Sequence, residues 1–369
     1  MQEQRHILTI CFNCLTFDAF FKRTIMNKFS FWLDNARKIA LPQSLLPCIT
    51  AIVLSIGEDG FFWPFILPVV LGVAAGHLGM NLADDYFDYR KGLPSGKIRS
   101  RLVAEGSVRA RMEKCSYIQS GDASEKDLLR AVLCFLGFAA IMGLAVVAGQ
   151  LILNGWKSAA AVAACALAAL VLGTQYSGGP LRLGYHGFGE LVIGLMFGPL
   201  IMTGVHSALT GGIFRADLTI LSIGVGCMVT DIVYVHSMME TSADRELGKF
   251  TFAHLLGGKR MQISALAVMT AVPFLCIAAN VAFFGWSILY LAVFAVLPMS
   301  VSLIVSTWKF VNNLPHDDVP RWWMGPMGNW DAYVAAGIDW FLFRWLMARN
   351  ATTFYCLIVI IVFFIDKIF

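Results

Sequence analysis

Charge is what this chain has least of: Asp, Glu, Lys and Arg supply 14% of its 369 residues, against about 25% in an average soluble domain. So little charge cannot clothe a water-facing surface, and a hydrophobic content of 58% excludes both an ordinary soluble enzyme and a disordered chain. A disulfide framework is missing too. The nine cysteines are odd in number and scattered, and Cys11-x-x-Cys14 has no second pair to complete the four ligands that structural zinc needs. Residues 1–25 lack an apolar core ending in a small-residue cleavage site, so no signal peptide is expected, and Met26 is as good a start as Met1. No G-K-[ST] follows the glycine-rich turn near residue 178, which removes a phosphate loop. There is no H-E-x-x-H and no D-G-x-x-A-R, the acidic signature of phosphotransferases acting on CDP-activated alcohols.

What the chain has is apolar runs of bilayer length, at about 39–57, 61–82, 128–150, 157–176, 187–210, 217–238, 261–282, 284–307 and 351–368. They describe an all-α integral membrane protein of about nine transmembrane helices, in contact with the lipid bilayer on all sides. With the N-terminus inside, Lys157, Arg215 and Lys367 fall outside and the other 25 of the 28 Lys and Arg fall inside, which sets the orientation. The net charge of +4 follows from that topology, and no nucleic acid partner is expected. The chain divides into an N-terminal cytoplasmic segment (1–35), a transmembrane core (36–310), a Trp-rich interfacial segment (311–350) and a last transmembrane helix (351–369). Five of the ten tryptophans, Trp322, Trp323, Trp330, Trp340 and Trp345, fall in the third part, as headgroup-level indoles do. Ser124 with Asp127 reads as the capped start of a helix.

The acids that exist are clustered. In N-L-A-D-D-Y-F-D-Y-R-K-G, residues 81–92, a helix carried past the hydrocarbon puts Asn81, Asp84, Asp85 and Asp88 on one face. Carboxylates stacked this closely need a counter-cation, and oxygen-only donors suit Mg²⁺ bridging to phosphates, with Arg90 and Lys91 available to far phosphate oxygens. After the sixth run, His236, Glu240 and Asp244 stand at i, i+4 and i+8. Two such stripes on one membrane side can hold metal ions around a diphosphate leaving group. Zinc on His236 and Glu240 lacks a third nitrogen or sulfur ligand. Asp231, within the sixth run, is open between a structural pair and a substrate contact. Glu190 is open between capping the fifth helix and binding an acceptor. Asp231, Glu190 and His206 also describe an ion-coupled carrier, but carriers keep their charges near the midplane and here most acids crowd one face.

Taken together, N-x-x-x-D-x-x-D after the second run and E-x-x-x-D-R-x-x-G-K after the sixth resemble the two aspartate-rich motifs of the UbiA superfamily of membrane prenyltransferases. Ala36-Arg37 and Leu41-Pro42 resemble that family's A-R-P-x-x-L-P opening, with Lys38 in place of the proline. Y-S-G-G-P-L-R-L-G-Y-H-G-F-G-E, residues 176–190, is similar to a segment of the 1,4-dihydroxy-2-naphthoate branch of menaquinone biosynthesis. The resemblance spans about residues 30 to 310. It implies a UbiA-like bundle around a central cavity, transfer of a polyprenyl chain from its diphosphate to an aromatic acceptor, and Mg²⁺ as cofactor. By that resemblance Asn81, Asp84, Asp85, Asp88, Glu240 and Asp244 hold metal, with Asp85, Asp88, Glu240 and Asp244 catalytic. Asn81, Lys91, Tyr176, Arg182, His236 and Lys249 contact substrates. The naphthoate, losing its carboxylate as CO₂, is the acceptor expected, ahead of hydroxybenzoate, homogentisate or haem. The expected location is the cell's inner (plasma) membrane, multi-pass, with the active site on the cytoplasmic side. One departure stands out: Ser237, Met239 and Glu240 replace the Asn, Arg and first Asp of the naphthoate branch, with His236 as a substitute for the missing Asn. An allylic cation formed in such a cavity has to be kept from water among π-faces; Tyr86, Phe87, Tyr89, Tyr176 and Tyr185 are the aromatic candidates.

Overall fold

The computed structural model describes residues 28–92, 96–111 and 114–368; Cys11, Cys14 and the choice between Met1 and Met26 lie outside them. Among the described residues nine helices are long and apolar enough to cross a membrane: α1 Lys38–Ser55, α2 Trp63–Lys91, α3 Glu125–Asn154, α4 Trp156–Ser177, α5 Gly189–Thr210, α6 Ala216–Met239, α7 Lys259–Phe283, α8 Ile288–Val311 and α9 Asp339–Ile368. Each satisfies its own backbone, as a hydrocarbon environment demands.

Small residues decide how closely these helices approach. On α5 and α6, Gly194, Gly198 and Gly226 let two backbones touch: a Cβ on Gly198 would lie 2.6 Å from the Gly226 Cα, and one on Gly226 would lie 2.5 Å from the Gly194 carbonyl oxygen. Midway along α5, Pro199 sits in a π turn, Met196–Leu200, where the missing proline N–H is absorbed by the looser ladder. Ser124 caps α3 as expected: its hydroxyl accepts the Asp127 N–H at 3.2 Å, and the Asp127 carboxylate accepts the Ser124 N–H at 3.2 Å.

The last helix departs from the sequence reading. It begins at Asp339 rather than near 351, because the charged residue that interrupts its hydropathy, Arg344, is buried against an acid. Arg344, with no exposed side-chain surface, pairs with both oxygens of Asp318 at 2.9 and 3.0 Å. It also donates to the Ser306 carbonyl at 3.1 Å and lies 4.6 Å over the Phe310 ring. Trp340 and Trp345 therefore belong to α9. The surface segment shrinks to about 312–338, and even that is not wholly superficial: Trp322 is 92% exposed, but Met324 and Met327 are buried in the main core.

Helices α1 to α6 surround a cavity of about 1400 Å³. Its walls are apolar, including Val69, Val147, Val162 and Val205, and Trp345 is the α9 residue that reaches it. Over the end where α2 and α6 finish lie the short helices Gly96–Ala104, Val108–Arg111 and Thr241–Glu246. They are joined through Leu102, Ala110, Ala243 and Leu247.

Candidate active site

Because α2 continues unbroken to Lys91, the acids of the first motif keep one helical face, and Asn81, Asp84, Asp85 and Asp88 all border the cavity. Asp85 and Asp88 are 3% and 6% exposed. Buried carboxylates need partners, and two bases from distant parts of the chain provide them. Arg37, just before α1, pairs with Asp85 and lies 3.5 Å from Asp84. Lys114, from the α2–α3 connection, pairs with Asp84 and reaches Asp88 at 2.6 Å. Hydroxyls complete the set: Ser177 donates to Asp84, Tyr185 to Asp88, and Tyr117 to Asp85 at 3.5 Å. Asn81 turns its amide to the Ala36 carbonyl at 2.9 Å, holding the Arg37 segment against α2.

Electrostatics around this cluster are strongly coupled. Burial works against the charge of Arg37 and of Lys114, but the neighbouring carboxylates outweigh it and hold both above their ordinary pKa. Burial together with Asp88 pushes the Tyr185 phenol up. Lys249 is the opposite case: burial, with Lys114 and Arg109 nearby, lowers its ammonium to about 7. Lys91 and Lys249 lie 3.3 and 5.7 Å from the Tyr185 ring centre, so two ammonium groups stand beside the carboxylates with room for an anion's oxygens.

The second acidic motif is built differently. Helix α6 ends at Met239, and Glu240 has left helical geometry (φ −118°, ψ 30°). The single stripe expected for His236, Glu240 and Asp244 therefore does not form. Glu240 is 4% exposed and accepts the backbone N–H groups of Val108 and Arg109, both at 2.6 Å; burial still pushes its pKa up. Asp244, fully buried, takes the Arg109 guanidinium at 2.7 Å. Neither residue borders the cavity; Arg109, which they hold between them, does. Among the described residues no group of three or more His, Cys, Asp or Glu closes into a metal-ligand set.

Of the other expected residues, Lys91, Tyr176, His236 and Lys249 border the cavity and Arg182 does not, being an exposed residue in left-handed geometry (φ 46°). In the naphthoate branch's N-x-x-R-D the asparagine stands four residues before the first Asp, a position that is His236 here rather than Ser237. The His236 ring stands edge-on to Phe341, and its Nε2 is buried without a partner. Ser237 donates to Glu190 at 2.6 Å, and the other Glu190 oxygen accepts the Phe252 N–H at 3.1 Å; Glu190 thus ties α5, α6 and the 250s together at the cavity wall. Asp231 faces Thr270 of α7, which donates at 2.9 Å. Sequence reasoning gave no site role to Arg37, Lys114 or Arg109. Arg37 carried a signal in the opening motif; Lys114 and Arg109 carried none.

The sequence pattern of the UbiA prenyltransferase family matches residues 44–330. The chain is 26% identical over 261 residues to a 1,4-dihydroxy-2-naphthoate octaprenyltransferase of Mycobacterium tuberculosis, covering 69% of this chain and 80% of that one. It is 24% identical over 280 residues to a 2-carboxy-1,4-naphthoquinone phytyltransferase of Synechocystis, covering 74% and 81%. In structure it is similar to a UbiA homologue from Archaeoglobus fulgidus bound to GPP and Mg²⁺, with a TM-score of 0.52 at 14% identity, covering 87% of this chain and 99% of that one.

Proposed function

We propose, from the premise that this chain belongs to the UbiA prenyltransferase family, that it transfers a polyprenyl chain from its diphosphate to 1,4-dihydroxy-2-naphthoate, with loss of CO₂, in menaquinone biosynthesis. The observation that carries the reading is the shape of the cavity. About 1400 Å³ of mainly apolar space exceeds the ~300–1,000 Å³ of ordinary small-molecule sites and has room for a long isoprenoid beside a ring. Its charge is concentrated at one end, where a diphosphate belongs. The excess of Lys and Arg on that side supports a cytoplasmic active site in the inner membrane.

The donor chemistry of the first motif fits magnesium, although its carboxylates are held by Arg37 and Lys114 and do not stand as a closed ligand set. Asp84, Asp85 and Asp88 offer hard oxygen donors and carry one more charge than Arg37 and Lys114 return. They, with the Asn81 carbonyl oxygen, would hold it, and when bound it supplies neutralisation of the leaving diphosphate. Glu240 and Asp244 are not in the proposed set, since both are spent on the 108–111 helix. Lys91, Lys249 and Arg109 bind the remaining phosphate oxygens. Tyr185 and Ser177 orient the carboxylates, and the Tyr176 ring, packed under Gly184 and Gly189, presents a π-face to the allylic cation. The apolar walls exclude the water that would otherwise capture it.

The test is turnover by the purified protein in detergent with 1,4-dihydroxy-2-naphthoate and a long prenyl diphosphate, with and without Mg²⁺, following CO₂ and product by mass spectrometry. Magnesium-dependent prenylated naphthoquinol is expected. Turnover only with hydroxybenzoate, homogentisate or haem would replace the acceptor; turnover with none of them would remove the reading.

A further inference from the structure

Two turns deeper than the carboxylates, α2 carries a residue with no place in the diphosphate chemistry. His77 precedes Asn81, Asp84 and Asp88 at spacings of four, three and four, so it continues their face into the cavity wall. At ~1.5 Å per residue it lies about 10 Å below Asp84 along the helix. That is the depth at which a ring would meet the allylic carbon of a chain whose diphosphate sits at the carboxylates.

The surroundings of the ring fix its chemistry. Ser44 of α1 donates its hydroxyl hydrogen to the Leu41 carbonyl at 3.0 Å, and its oxygen lies 2.7 Å from His77 Nδ1. When the serine hydrogen goes to Leu41, Nδ1 carries the imidazole hydrogen and Nε2 the lone pair, and that tautomer is the one the assignment below takes. Nε2 bonds to no described residue and is not among the buried polar atoms left unpaired, in contrast to His236 Nε2. Phe197, from the π turn of α5, stands edge-on to the ring with centroids 5.1 Å apart. The imidazole is thus held from two helices with an acceptor nitrogen open to the cavity.

We propose that His77 is a catalytic base for the aromatic acceptor, an assignment that rests on the prenyl-transfer reading above. The allylic C–O bond breaks with its electron pair going to the diphosphate, and a ring π pair forms the new C–C bond. As that bond forms, the ring hydroxyl passes its proton to Nε2 and its O–H pair becomes a carbonyl. When the carboxylate on the attacked carbon leaves as CO₂, its bonding pair refills the ring and Nε2 returns the proton to oxygen. Phenolic acceptors fit this site, and their methyl ethers do not.

His77→Asn tests it, because the asparagine amide keeps a donor near Ser44 while removing Nε2. The expected result is a fall in kcat of about 100-fold, with KM for the prenyl diphosphate within about twofold, unchanged thermal unfolding, and partial rescue of His77→Ala by added imidazole. Ser44→Ala, which removes the partner of Nδ1, is expected to lower kcat about tenfold. Wild-type kcat in His77→Asn, or equal turnover of a phenolic acceptor and its methyl ether by the native protein, overturns the assignment while leaving prenyl transfer standing. No product from the native protein with any aromatic acceptor overturns the function and this assignment together.

Discussion

Asp84, Asp85 and Asp88 on α2, and Glu240 and Asp244 after α6, leave the membrane at the same end of the bundle and in sequence look like two halves of one device. In the structure only the first set borders the cavity. The reason is local. Helix α2 runs on to Lys91, so its carboxylates stay aligned, whereas α6 stops at Met239 and Glu240 turns away to hold two backbone N–H groups. A carboxylate facing a cavity is available to ligands; one that has replaced its water with backbone donors is a structural anchor. The first motif therefore borders the cavity directly, and the second holds Arg109, which borders it too.

Asp88→Asn gives the sharpest separation, with a loss of kcat of about 1000-fold; its one amide oxygen can accept from Tyr185 while Lys114 keeps Asp84 as partner. A variant with more than a tenth of native activity breaks the division of roles. Glu240→Gln comes next. Gln has one acceptor oxygen for two N–H groups, so activity should fall about tenfold and amide exchange at Val108 and Arg109 should quicken, with the Mg²⁺ requirement unmoved. A rise in half-saturating Mg²⁺ instead would make Glu240 a metal ligand and collapse the comparison. The smallest effect concerns pH. Burial disfavours the Lys249 ammonium, so its charge is present below about 7 and lost as pH rises through that value. From pH 6.5 to 8, kcat/KM for the prenyl diphosphate should fall about eightfold, and Lys249→Arg, which stays charged, should flatten the profile.

Sequence reasoning went furthest where one helix carries the information. The nine spans, the capping box at Ser124 and the face shared by Asn81, Asp84 and Asp88 need only hydropathy and a period of 3.6 residues. It fell short where the partner is remote. Lys114 reaches Asp84 and Asp88 across a connection of some 30 residues, and nothing in its own neighbourhood marks it. Glu240 was drawn on one helical stripe with His236 and Asp244 because a helix end inside a polar stretch leaves no hydropathic trace. His77 was passed over because a single His in an apolar run gains meaning only when Ser44, from another helix, is seen beside its Nδ1. Helix α9 was drawn short because Arg344 looks like a break until Asp318 is found opposite it.

That last pair bears on how the chain is assembled. Arg344 near the start of α9 is satisfied by Ser306 and Phe310 of α8 and by Asp318 of the connection between them, all synthesised before it. A guanidinium entering the bundle without them would be an uncompensated charge at substantial cost. The final helix is therefore expected to seat only once the 312–338 segment has folded back against α8. Truncation at residue 338 would leave Asp318 with no guanidinium to neutralise it and the groove for α9 open to lipid.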